Sequence, residues 1–194
     1  MKRCEQSPVW IKRHDRKVFK GIAVYLICFI VTGLAVFQFN DAVFNHGLHI
    51  VNVSVYETYL NQKQNKTAED GLRYLSIGNA YFERKQFSNA SRMYEKALAL
   101  DPHNADILNN LAWLLAVSKE NNLRDPQRAL SLARKAISLK KAPHIWDTLA
   151  AALFANGKVK EAIAAEENAL AMNPQDRSIY EAQLKIYEEF LRKN

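Results

Sequence analysis

Cysteine is nearly absent from this chain. Among 194 residues there are two, Cys4 and Cys28, and none beyond position 28. The long C-terminal part therefore has no disulfide, no cysteine-ligated zinc site and no thiol nucleophile. Such a region folds equally well in an oxidising or a reducing compartment. Lys, Arg, Asp and Glu are also absent between Gly21 and Phe39, where nineteen residues read GIAVYLICFIVTGLAVFQF. A third absence is a basic cluster in the C-terminal region. The net charge is +7, but residues 1–20 hold seven Lys or Arg against Glu5 and Asp15, and from Asn40 onward 20 basic residues face 18 acidic ones. A nucleic-acid surface needs Lys and Arg gathered on one face of a folded domain, so no nucleic-acid partner is expected. Finally, the chain lacks a Gly-rich phosphate loop, an H-E-x-x-H helix and a G-x-S-x-G elbow. It is expected not to be an enzyme.

The uncharged stretch at 21–39, at a helical rise of ~1.5 Å per residue, covers roughly 28 Å, close to the hydrocarbon thickness of a bilayer. It shows no polar stripe, and a transmembrane helix is expected, with the lipid bilayer as its partner. A cleaved signal peptide fits less well, because apolar residues run on through Val36, Phe37 and Phe39 past the small Gly33-Leu34-Ala35. A lipoprotein signal wants a small residue directly before its cysteine, and Cys28 follows Ile27. Seven basic residues precede the span, and the first after it is Lys63. The positive-inside rule then makes 1–20 a cytoplasmic tail and places everything from Asn40 outside the cytoplasm, in the periplasm if the cell is bacterial.

Residues 40–68 form a juxtamembrane segment with a weaker pattern. Val51, Val53 and Val55 alternate with Asn52 and Ser54, which hints at a short strand. Extension of the membrane helix, or an interfacial position with Phe44, Tyr56 and Tyr59 as aromatic anchors, is an equal alternative. His46 and His49 stand three apart, but two imidazoles without a third ligand do not make a metal site. No metal and no cofactor are expected.

Beyond residue 68 one pattern recurs. Tyr74, Ile77, Gly78, Tyr81, Phe87, Ala90, Tyr94, Ala97, Leu98 and Pro102 are followed, at matching spacing, by Trp146, Leu149, Ala150, Leu153, Gly157, Val159, Ala162, Ala169, Leu170 and Pro174. This region resembles the tetratricopeptide-repeat family. The resemblance implies an all-α fold, a short solenoid of helical hairpins with three repeats at 69–104, 105–142 and 143–176, and a capping helix at 177–194. In the first repeat, helix A is expected near Glu69–Glu83, opened by Thr67 with Asp70 three residues on. Gly78 and Ala90 are small where the hairpin helices cross, and Pro102 closes the unit. The second repeat is longer by five residues in the polar loop Ser118–Asp125. Asp125 then caps the following helix, and Pro126 occupies its first turn. Gly157 marks the hairpin turn of the third repeat, where a left-handed backbone is wanted. In the last helix Ile179, Tyr180, Leu184, Tyr187 and Leu191 form the apolar set of a solvating cap.

A repeat array of this kind stacks into a groove lined mainly by helix A of each unit. Carried over by position, the groove residues include Asn79, Phe82, Asn109, Asn110, Trp113, His144, Asp147 and Phe154, beside Glu83 and Thr148. Asn79 and Asn110 match the two asparagine positions of the carboxylate clamp, with which some family members hold the C-terminus of a chaperone. The clamp's cationic positions are filled here by Leu75, His144 and Thr148, so a bound carboxylate would lack its charge-assisted bonds. Glu166 and Glu167 are adjacent and read as a solvated helix face. The expected function is a membrane-anchored adaptor that holds a peptide segment of a protein partner, in the assembly of envelope or membrane complexes. The alternative is a structural subunit of an integral membrane complex, held mainly through its span and juxtamembrane segment.

Overall fold

The computed structural model describes residues 53–120 and 122–193. The basic tail at 1–20, the apolar span at 21–39 and residues 40–52 lie outside the described residues. Among those described, no helix is long and apolar enough to cross a membrane.

The described residues form helices joined by short connections: α1 Val53–Gln62, α2 Ala68–Glu83, α3 Phe87–Leu100, α4 Ala105–Val117, α5 Pro126–Leu139, α6 Pro143–Ala155, α7 Val159–Ala171 and α8 Arg177–Lys193. Their ends follow from local chemistry. Asp70 Oδ2 accepts from the backbone N–H of Thr67 at 2.9 Å, the back-reaching bond of a capping box at the start of α2. Asn104 Oδ1 accepts from the N–H groups of Asp106 and Ile107 at 3.1 and 3.2 Å and opens α4. Asp125 Oδ1 accepts from Arg128 N–H at 3.0 Å, with Pro126 in the first turn of α5. The longer loop of the second repeat thus ends in a properly capped helix. Gly157 has φ +75° in the α6–α7 turn, and Lys85 takes φ +60° in the α2–α3 turn. The same left-handed step therefore serves two hairpins, with glycine in only one of them.

α2–α3, α4–α5 and α6–α7 are three helical hairpins stacked in chain order, each packed on the next, with α4 also against α6. Alanine makes the close approaches: Ala90, Ala97, Ala112, Ala129, Ala133, Ala136, Ala150, Ala162 and Ala169 are all fully buried. Ile77, Met93, Ile107, Leu108, Leu111, Leu114 and Ile145 fill the space between them. The architecture is an all-α helical solenoid.

Two sequence expectations need correction. The valine alternation at 51–55 does not mark a strand over its described part. Val53, Tyr56, Glu57 and Leu60 are buried at i, i+3, i+4 and i+7, a helical stripe, while Val55 is 62% exposed. Side chains of α2 and α3 claim that stripe. Tyr81 OH donates to Glu57 Oε2 at 3.0 Å, Arg92 donates to Glu57, and Tyr74 OH donates to Asn61 Oδ1 at 3.1 Å. The second correction concerns α8. It buries only Tyr187 fully, with Tyr180 and Leu184 half-buried, whereas Ile179, Ile186 and Leu191 are exposed. The inward face is narrower than the apolar set of the sequence.

Candidate functional site

α2, α4 and α6 place one wall each around a cavity of about 360 Å³, and α3 supplies part of its floor. The lining comprises Asn79, Phe82, Glu83, Tyr94, Asn109, Asn110, Trp113, His144, Asp147 and Thr148. Of the eight residues expected from the sequence, seven come together here. Phe154 does not. Its ring lies 4.7 Å from that of Tyr187 and 5.0 Å from that of Phe190, so α8 takes up its aromatic surface.

The two asparagines are joined to each other. Asn110 Nδ2 donates to Asn79 Oδ1 at 2.9 Å, and Asn109 Nδ2 donates to Asn110 Oδ1 at 3.2 Å. Tyr94 OH also donates to Asn79 Oδ1, at 2.9 Å. Tyr94 escaped the sequence reading of the groove because it belongs to the second helix of its hairpin and is 2% exposed. Burial pushes its phenol well above the usual tyrosine range, so it remains a donor. The signal that could have found it is Gly78. A Cβ there would stand 2.4 Å from the Tyr94 ring, so the glycine makes the space through which that hydroxyl reaches Asn79.

Aromatic surface flanks this polar strip. Trp113 and Phe82 are half-buried, and Phe82 packs edge-on against Phe87 at 5.5 Å. Among the described residues no Lys or Arg lines the cavity. His144, at one of the clamp's cationic positions, has Nε2 3.6 Å from Asp106 Oδ1, and Lys140 Nζ lies 2.9 Å from the same oxygen. Thr148, at another, donates its hydroxyl to the carbonyl of His144 at 2.9 Å within its own helix. The charge-assisted half of a carboxylate clamp is missing.

Behind the groove lies a residue that the sequence misplaced. Glu166 is fully buried, not solvated, because it shares the inner face of α7 with Ala162, Ala165 and Ala169. Glu167 alone faces solvent. Burial, reinforced by the neighbouring charge of Asp147, pushes the Glu166 carboxyl above the ordinary range. Burial raises Asp147 as well, opposed in part by its hydrogen bond with Glu166.

The hairpin geometry, the small residues at the crossings and the recurring left-handed turn agree with the family models that match this chain. One, the TPR repeat, covers residues 78–116, and a second, the tetratricopeptide repeat, covers residues 121–177. The helical hairpins are tetratricopeptide repeats. The chain is 30% identical over 121 residues to the Protein STIP1 homolog of Dictyostelium discoideum, a match that covers 60% of this chain and 20% of that protein. It therefore spans about a fifth of the length of that curated relative. Among solved structures, the Arabidopsis OM64 TPR domain is 26% identical with a TM-score of 0.54, covering 66% of this chain and 98% of that one. The first TPR of Spaghetti (RPAP3), bound to the HSP90 peptide SRMEEVD, shares the fold at 23% identity and a TM-score of 0.56. That match covers 67% of this chain and 99% of the other. The α2–α7 array and its groove are thus a tetratricopeptide-repeat solenoid.

Proposed function

We propose that this chain is a membrane-anchored adaptor whose repeat groove holds an extended peptide segment of a protein partner. The observation that carries this reading is the cavity itself. A continuous asparagine strip from Asn79 to Asn110 and Asn109 shares the cavity lining with Phe82 and Trp113. Amides both donate and accept, which matches a peptide backbone, while the aromatics receive apolar side chains. The HSP90 peptide carried by the RPAP3 repeat domain is an instance of peptide capture on the same fold. Residues 21–39 supply the anchor in this reading, and the basic flank places the repeats on the extracytoplasmic side. Assembly of envelope or membrane complexes is the role that suits such a tether, and no catalysis is assigned to it.

The alternative, a structural subunit held through its span and juxtamembrane segment, has less of that segment at its disposal. Residues 53–62 lay their apolar face on the first repeat.

The groove reading is tested by changing Asn110→Ala together with Trp113→Ala in the full chain. The expected outcome is that partners identified with the parent chain fall at least about tenfold in recovery, while helicity by circular dichroism is kept. Undiminished recovery of every partner would remove the groove from the function.

A further inference from the structure

The third-repeat end of the groove is acidic and, among the described residues, has no Lys or Arg in its lining. Asn109 is 7% exposed, and its Oδ1 has no hydrogen-bond partner among the described residues, its Nδ2 being directed to Asn110. Glu166 is fully buried, with the Asp147 carboxyl as its hydrogen-bonding neighbour. Asp147 lies against Glu166 and itself lines the cavity. Lys140 is paired with Asp106, Arg134 with Glu161 and Arg177 with Glu181. Among the described residues no ion pair reaches Asp147 or Glu166. An acidic wall that holds a buried amide oxygen without a donor favours a ligand that brings positive charge and N–H groups.

The complement to such a wall is a cation with several N–H groups. A lysine ammonium offers three donors and an arginine guanidinium five, neither with an acceptor to clash. We infer that the groove takes a Lys or Arg side chain of the bound peptide, seated on Asp147 with Glu166 behind it and Asn109 Oδ1 beside it. This deepens the groove reading above and rests on it. It also reverses the charge logic of a carboxylate clamp. An acidic peptide end would meet Glu83 and Asp147 in the lining, with no Lys or Arg to answer it. A peptide with a neutral side chain at this position would leave the acidic wall unanswered.

The test uses the full chain in detergent micelles and a random twelve-residue peptide library. Selected peptides are synthesised and titrated by fluorescence anisotropy. The expected result is a Lys or Arg shared at one position of the selected peptides. Exchange of that residue for acetyl-lysine or citrulline weakens binding roughly ten- to a hundredfold, and Asp147→Asn does the same. The exchange on the peptide needs no altered protein, so it stands even if Asp147→Asn folds poorly. Peptides that bind, depend on Asn110 and Trp113, and yet carry no basic residue or tolerate its neutralisation would overturn the inference and leave the groove reading intact. Failure to obtain any peptide dependent on Asn110 and Trp113 would overturn both.

Discussion

Glu166 occupies a setting that its type avoids: full burial, beside a second acid, on an alanine-lined helix face. The groups that face it are Asp147 from α6 and Tyr180 and Tyr187 from α8, whose phenols are raised by burial and by the two acids. The consequence for stability has a definite sign. A carboxyl whose folded pKa lies above its unfolded value binds more protons in the folded chain, so its contribution is complete below about pH 4 and lost as the pH rises through the raised value. Glu166→Gln is uncharged at every pH and escapes that loss. Urea midpoints measured from about pH 5 to about pH 9 should therefore fall more steeply for the parent chain than for Glu166→Gln. Parallel profiles would show that the pair does not titrate in this range. The position was not legible in the sequence, because two adjacent glutamates read as a solvated face and only the helix phase separates them. Phe154 failed for a related reason. Transfer by repeat position cannot register that the helix after the last repeat lays Tyr187 and Phe190 on that ring.

At the scale of elements, the repeat helices were legible because their ends carry explicit signals. Thr67 with Asp70, Asp125 with Pro126, and Gly157 each act within a few residues of where they stand. α1 is less legible: it has ten residues, and a polar Glu57 stands in the middle of its buried stripe. Its helical state is explained by tertiary partners, which a local pattern does not contain. Burial alone would raise the Glu57 carboxyl, but the hydrogen bonds of Arg92 and Tyr81 and the Arg92 charge hold it below its ordinary value. α1 is thus fastened to the first hairpin by a charged side chain as well as by Val53, Tyr56 and Leu60. Glu57→Ala should destabilise this contact by about 1–3 kcal/mol. In hydrogen-exchange mass spectrometry, amides of α1 and the N-terminal part of α2 should lose protection while α4 to α6 keep theirs. Uniform loss across the array would show that α1 is integral to a single cooperative unit.

At the scale of the whole molecule, the described residues make contacts mainly between neighbours in chain order, and stability in such an array is close to a sum of local terms. The polar loop between α4 and α5 offers a position from which to report on the anchor proposed for residues 21–39. With Cys4 and Cys28 changed to Ser and Asn121→Cys added, intact cells treated with a membrane-impermeant thiol reagent should label the chain. Protection that disappears on lysis would place the repeats on the cytoplasmic side. The groove also has a thermodynamic character fixed by its internal hydrogen bonds. Asn79 Oδ1 already accepts from Tyr94 OH and from Asn110 Nδ2. A ligand N–H that reaches this oxygen replaces one bond with another of similar kind, and little heat accompanies the exchange. Calorimetric enthalpy of the proposed capture should therefore come from elsewhere in the cavity, because Asn79 and Asn110 already satisfy one another.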